Sequence, residues 1–492
     1  MRIRAPLWIL ALLAAPAAAQ PITPEEAVAR MLAASPAVRA ADADVRVADA
    51  NVRAAEGARV PALVTSASGG LNERFSGTSR GVVRNSDGSV AGGVAVRYTT
   101  EIGTQIEIGA DLGAAWRSVN LTPGTTDLVT IGPNYSAQAT LDVRQPLLRG
   151  AGDDATLAPT RQAMAAREAS RHGRDATLSR LVLETLRAYW ELWYAQEAVR
   201  VQREALRVAE RQLEEQRLRV ERLGTAAPVD LLQLIAQRAS IEEALALAET
   251  NRRTRAIELG RLIGVAPDAA PGLEAAADPP EPARTPPLER LIRMSRDASS
   301  ELRALAADVE AARERLRAAA DEDQPRVDLV GSFAIGGLWS DDALAGLNLP
   351  GDRPAFGGMV GLEVELPLGS SQASAAHAAA RAALEAAEAR YEARAQELAA
   401  ELATLRAEVE AAGRQVELAA ETARLAGDVA RAEEQRIALG TTTPLSLITA
   451  QQSQRESELR RLRAIVDRVG AELTLADRAG LLLARAGSRE AS

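Results

Sequence analysis

The strongest constraint on this 492-residue chain is that it is written twice. Residues 218–238 read LRVERLGTAAPVDLLQLIAQR and residues 434–454 read EQRIALGTTTPLSLITAQQSQ. Leu223, Gly224, Thr225, Pro228 and Leu231 thus recur as Leu439, Gly440, Thr441, Pro444 and Leu447. LDVRQPLLRG at 141–150 is echoed by LEVELPLGSS at 362–371, each a strand-like run ending in proline. VRAAEGARVPALVTSASGG at 52–70 is echoed by LRAAADEDQPRVDLVGSFAIGG at 316–337. A repeat of this kind means that one supersecondary unit is built twice and buries its surfaces against its own copy. Each half reads helix, strand, loop, strand, long helix, tight turn, helix.

The spacing predicts the following boundaries. A leader covers 1–19. The first repeat covers 20–264, with strands within 62–147 and a hairpin tip at 224–228. The proline- and alanine-rich run 265–287 is a linker. The second repeat covers 288–485, with strands within 326–368 and a tip at 440–444, and a short tail covers 486–492.

The helices are long and heptad-patterned. Leu398, Leu402, Leu405, Val409, Ala412, Val416, Ala419, Ala423, Ala426 and Ala430 keep an unbroken 4-3 spacing, as do Leu206, Ala209, Leu213, Gln216, Val220 and Leu223. Such spacing predicts coiled-coil packing, and alanine on the seam lets backbones approach closely. Gly224 and Gly440 suit the left-handed residue that ends a helix. Pro228 and Pro444 suit the first position of the next helix. Thr443 is placed as its N-cap, and Asp230 sits in a first turn, where the helix dipole favours a carboxylate. Helices over roughly 155–222 and 372–438 would each be about 100 Å long. The shorter helices near 24–58, 228–264, 286–320 and 444–485 fit as end-to-end pairs beside them. A barrel of long antiparallel helices is the expectation.

The strands have two chemically distinct faces. Val360, Leu362, Val364, Leu366 and Leu368 oppose Gly361, Glu363 and Glu365. Leu141 and Val143 oppose Asp142 and Arg144, and Ile102, Thr104, Ile106, Ile108 and Leu112 oppose Gln105, Glu107 and Asp111. Apolar against charged, over about ten residues, is the pattern of a membrane β-barrel wall with a wet lumen. Asp142, Arg144, Glu363 and Glu365 are the expected lumen residues. Two strands per half, or four per chain, are too few to close a barrel, so closure requires several chains. Residues 94–116 read as an additional hairpin in the first half only.

Arg2 and Arg4 before the apolar run Leu7 to Ala15, then Ala17-Ala18-Ala19, read as a secretory leader. The chain contains no cysteine, which excludes disulfides, thiolate zinc sites and cysteine nucleophiles. It has only two histidines, His172 and His377. All 58 basic residues are arginine and the net charge is −9, which argues against nucleic-acid binding. No nucleophile–base constellation stands out, so neither enzymatic activity nor a cofactor or metal is expected. Tyr189, Trp190, Trp193 and Tyr194 lie on one helix and are read as packing between helices.

This duplicated strand–loop–strand and long α-hairpin, with the G-T-x-x-P-x-x-L turn and the strand-ending proline-leucine, resembles the TolC family of outer-membrane efflux proteins over about 23 to 485. The resemblance implies an α+β membrane protein. In it a long antiparallel α-helical coiled-coil barrel joins a twelve-stranded transmembrane β-barrel shared by a homotrimer. It implies the outer membrane of a Gram-negative bacterium, with a large periplasmic part, and contact with outer-membrane lipid. It also implies an exit duct for tripartite efflux or type I secretion, docked to a periplasmic adaptor protein and an inner-membrane pump. By the same resemblance the adaptor-contact tips are Gly224, Thr225, Pro228, Leu231, Gly440, Thr441, Pro444 and Leu447. The periplasmic gate falls at Asp230, Ser446 and Thr449, where Ser446 and Thr449 stand in place of the family's usual aspartates. The alternative reading is a periplasmic adaptor itself, which also carries a leader and a long α-hairpin.

Overall fold

A computed structural model describes residues 21–78, 81–120, 128–218, 228–282, 284–339, 353–368, 371–439 and 441–483. The expected leader, Gly224, Thr225 and Gly440 lie outside the described residues. In chain order the elements are β1 (Pro21–Ile22), α1 (Pro24–Ala34), α2 (Pro36–Gly57), β2 (Ala62–Thr78), β3 (Gly81–Thr99), β4 (Gln105–Asn120), β5 (Leu128–Pro146), α3 (Gly152–Leu218) and α4 (Pro228–Ile263). They continue with β6 (Glu274–Ala275), α5 (Leu288–Ala298), α6 (Ser300–Glu322), β7 (Arg326–Trp339), β8 (Arg353–Glu365), α7 (Gln372–Ala438) and α8 (Pro444–Arg478).

The chain divides into two compact units. The helical unit comprises 1–45, 171–304 and 392–492; the strand-bearing unit comprises 46–170 and 305–391.

In the helical unit, local chemistry sets the helix ends. Thr23 and Glu26 form a reciprocal capping box on α1, with Glu26 N–H donating to Thr23 Oγ1 at 3.2 Å and Thr23 N–H to Glu26 Oε2 at 3.1 Å. The helix breaks at Ser35 because Pro36 pushes the preceding residue into extended backbone (φ −66, ψ 124). The second half breaks at the corresponding Ser299 (φ −65, ψ 117), without a proline; its hydroxyl instead accepts from Leu302 N–H at 3.4 Å. Two glycines finish the pattern. Gly264, just after α4, and Gly480, just after α8, both have positive φ (75 and 73). A Cβ at Gly264 would lie 2.5 Å from Ala34 Cβ, and one at Gly480 would lie 2.6 Å from the Ala298 carbonyl carbon. Each glycine thus lets one helix end abut the end of another.

The core of this unit gathers Leu181, Val182, Trp190, Leu192, Trp193, Leu259, Leu462 and Val466 around the fully buried Tyr189. The Tyr189 hydroxyl donates to Ile22 O at 3.1 Å and accepts from Ala277 N–H at 3.0 Å. It ties β1 to the segment after β6, and those two short strands pair in parallel. Burial pushes the Tyr189 phenol above its ordinary range. Trp190 packs edge-on to Tyr189 (5.0 Å) and to Trp193 (6.4 Å), and Arg463 lies over the Tyr194 ring at 5.4 Å. The four aromatics are packing residues, as their helical placement suggested. Arg394 is held by both carboxylate oxygens of Glu301 (2.8 and 2.9 Å) and by Glu397 and Glu401 (2.8 Å each); the Glu301 bonds foremost hold its guanidinium charged.

The strand-bearing unit is built on one antiparallel sheet in the order β2-β3-β4-β5-β7-β8. It has six strands rather than the expected four. The first half contributes β2 to β5 because the additional hairpin read at 94–116 is part of a longer one, β3 pairing with β4 from Asn85↔Val119 to Thr99↔Gln105. Residues 366–368 follow β8 outside the sheet. Just past β5, Leu147 N–H donates to Val327 O of β7 at 2.8 Å, and Gly150 N–H donates to Asp321 Oδ2 at the end of α6 at 2.8 Å. His377 Nδ1 lies 3.1 Å from Asp323 Oδ2, so this histidine is paired with an acid.

Candidate functional site: a two-faced sheet and the hairpin tips

The sheet register converts sequence alternation into rows. Leu63, Val96, Ile108, Leu141 and Phe333 are successive cross-strand partners, so five strands place a large apolar side chain in a single row on one face. The same face carries Leu71, Val90, Val94, Leu112, Phe356, Val360, Leu362 and Val364, and all of these side chains are exposed. Phe356 is 84 % and Val360 80 % exposed. Each large apolar side chain left in water forgoes about 1.5–3 kcal/mol of burial, so a belt of this size needs a non-aqueous partner.

The next row, on the opposite face, reads Arg97, Glu107, Asp142, Ser332 and Met359. Arg97 bonds Glu107 at 2.8 Å, and Arg117 bonds Asp87 at 2.6 Å. Arg144 reaches both Asp328 and Glu363 at 2.7 Å, and Arg326 reaches Asp328 at 2.9 Å and Glu365 at 3.8 Å. Four predicted lumen residues, Asp142, Arg144, Glu363 and Glu365, therefore share this face, and Arg144, Glu363 and Glu365 belong to one charge chain. Its centre is Asp328, only 2 % exposed, together with Arg326; neither was among the predicted site residues. The alternation from Val327 to Ile335 was the signal that could have identified Asp328. An ionised carboxylate so deeply placed is tenable because two guanidinium groups bond it.

The hairpin tips are part of the helical unit. Thr443 is the N-cap of α8, accepting from Ser446 N–H at 3.4 Å, with Pro444 following it. Thr441 N–H donates to Arg436 O at 2.9 Å, and the Thr442 hydroxyl donates to Glu433 Oε2 at 2.8 Å. The Thr442 hydroxyl, with Arg436 beyond it, holds the Glu433 carboxyl below its usual range. The expected gate residues are placed as follows. Ser446 is exposed beside Thr443, Thr449 is exposed and donates back to Leu445 O at 2.9 Å, and Asp230 is half-buried in the first turn of α4. Pro228 opens α4. Leu447 is buried (6 % exposed), and Leu231 packs against Leu213, Leu234 and Ile448, joining the tips of both hairpins. Exposed apolar residues near the tips include Leu439, which the repeat matched to Leu223, and Val229, Leu232 and Leu445, which motif matching did not single out. Their signal was in plain view, since Val229 and Leu445 each follow the turn proline directly.

Among the described residues no helix is long and apolar enough to cross a membrane, and no cluster of histidine, aspartate and glutamate is disposed to hold a metal ion.

The fold is that of outer-membrane channels. A membrane protein from Pseudomonas aeruginosa superposes with a TM-score of 0.67 at 19 % identity, covering 93 % of each chain. The outer membrane protein VceC from Vibrio cholerae gives 0.66 at 18 %, over 93 % of this chain and 96 % of its own. The Neisseria gonorrhoeae MtrE outer membrane channel in its open state gives 0.64 at 17 %, over 93 % and 89 %. No curated protein sequence matches the chain. The family model for outer membrane efflux proteins matches residues 27–265 and 291–481, and the chain belongs to that family.

Proposed function

We propose that this protein is the outer-membrane exit channel of an export system, several copies closing a shared β-barrel above a periplasmic α-helical tunnel. The observation that carries this reading is the two-faced sheet: an exposed apolar belt on one side and a charged, ion-paired surface on the other. Lipid satisfies the first and a water-filled lumen the second. A six-stranded sheet with two unpaired edges cannot close on itself, and edges in a bilayer must be paired. Family membership supports three copies. Asp142, Arg144, Glu363 and Glu365 would then line the pore.

The tips would dock a periplasmic adaptor that links the channel to an inner-membrane pump. Because Leu447 is buried, Val229, Leu232, Leu439 and Leu445 are the residues available for that contact, around the turn motifs Gly224-Thr225 and Gly440-Thr441. A gate at Asp230, Ser446 and Thr449 would be closed by packing rather than by an acidic ring. Val229→Ser with Leu445→Ser should reduce export while leaving assembly intact; undiminished export would count against docking at these tips.

The deciding experiment is fractionation followed by native mass and planar-bilayer recording. Detergent-dependent extraction from outer membranes, a particle three times the chain mass and ion-conducting pores are expected. A monomer that stays in solution without detergent would remove the reading.

A further inference from the structure

We propose that the membrane wall of the assembled channel contains all six strands of each chain, eighteen in a trimer, instead of the four per chain on which a twelve-stranded wall rests. This inference rests on the channel reading above and deepens it. Three observations carry it.

The first is pairing. β3 and β4 are not an appendage at a sheet edge: they lie between β2 and β5, bonded on both sides. Removing them from the wall would break both the β2–β3 and the β4–β5 ladder, or carry β2 away with them. The second is patterning. Val96 of β3 and Ile108 of β4 sit in the same exposed apolar row as Leu141 and Phe333, so the additional strands continue the lipid-facing belt without a step. Their other face continues the wet surface through Arg97 and Glu107. At 19 and 16 residues, both strands exceed the roughly 9–11 residues that a tilted strand needs to cross a bilayer.

The third is the turn between them. Thr100 N–H donates to Thr104 O at 2.9 Å, closing a five-residue connection. Ile102 O accepts from Gly152 N–H at 3.1 Å, and the Thr104 hydroxyl donates to Gln145. The turn is thus bonded to the end of β5 and the start of α3. A wall gains strands in pairs for a topological reason: β5 must still run toward α3, so only a whole hairpin can be inserted. Barrel diameter grows roughly linearly with strand number, so the eighteen-stranded wall encloses a mouth about half as wide again as a twelve-stranded one.

The chain has no cysteine, so single cysteines can report on each face without background. In intact proteoliposomes, a membrane-impermeant maleimide should label Ser89→Cys and Asp111→Cys at least about tenfold faster than Val94→Cys and Leu112→Cys. Glu363→Cys against Leu362→Cys in β8 is the control pair, and Ala91→Cys against Val90→Cys replaces any pair whose variants fail to assemble. Alternation in β3, β4 and β8, in a three-chain particle, supports the eighteen-stranded wall. Alternation in β8 with equal labelling on both faces of β3 and β4 overturns the inference and leaves the channel standing. A two-chain particle with full alternation also overturns it, since that wall has twelve strands. Equal labelling in β8 as well removes the channel reading itself.

Discussion

The two halves of the chain agree in their helices and differ in their strands. α4 and α8 have 36 and 35 residues, and the pairs α1–α2 and α5–α6 have 11 with 22 and 11 with 23. The first half then places four strands where the second places two. Helices packed along a heptad seam must match their neighbours in length and register, because an added residue rotates every later side chain off the seam. A sheet tolerates the insertion of a whole hairpin between two of its strands, which restores both chain direction and facing. Duplication has therefore been preserved where packing is periodic and relaxed where units can be added whole.

The helix-end glycines give the sharpest way to break this equivalence. Gly480→Ala should cost about 3 kcal/mol or more, since it combines left-handed strain with a clash against the Ala298 backbone. Gly264→Ala should cost a similar amount, but its clash is with the Ala34 methyl alone. A double-mutant cycle in urea unfolding should therefore show strong coupling between Gly264→Ala and Ala34→Gly, and little between Gly480→Ala and Ala298→Gly. Next comes the sheet. Arg144→Met strands part of the buried Asp328 and should cost about 2–4 kcal/mol, whereas Arg97→Met, in an exposed pair, should cost under about 1 kcal/mol. Equal losses in unfolding free energy would contradict that ranking.

The tips differ more subtly. Thr443 and Thr442 of the second turn correspond in sequence to Ala227 and Ala226 of the first, and Glu433 corresponds to Arg217. Thr443→Ala should lower protection of the first turn of α8 by about 1 kcal/mol in hydrogen exchange. The smallest effect is one of pH. The folded Glu433 carboxyl is held below its ordinary range, so its contribution is present above that range and fades as pH falls through the lower folded value. Protection near 441–446, taken relative to the intrinsic exchange rate at each pH, should fall on acidification, and Glu433→Gln should abolish that loss.

The helical pattern was legible because it is local: heptads, the prolines that open α4 and α8, and the Thr443 cap each act within a few residues. The charged face of the sheet was legible from alternation. Less visible was β2, whose Ser66-Ala67-Ser68-Gly69-Gly70 run has weak strand preference and is held by its long ladder with β3. Asp328 lacked prominence because its importance comes from Arg144, which is 184 positions away in sequence. The tip leucines show the converse. Leu231 and Leu447 repeat faithfully, yet their contacts are inward, and the exposed Val229 and Leu445 carry the outward surface.

The stitch formed by Tyr189, Ile22 and Ala277 also sets a timetable. Residues 21–22 precede their partners at 274–275 in the chain by about 250 positions, so β1 emerges long before anything exists for it to pair with. It must wait through the delivery of four strands and two long helices. The beginning of the described chain is thus among the last parts of the first half to find its place. Until then the buried Ile22 remains bare and must be kept from premature partners.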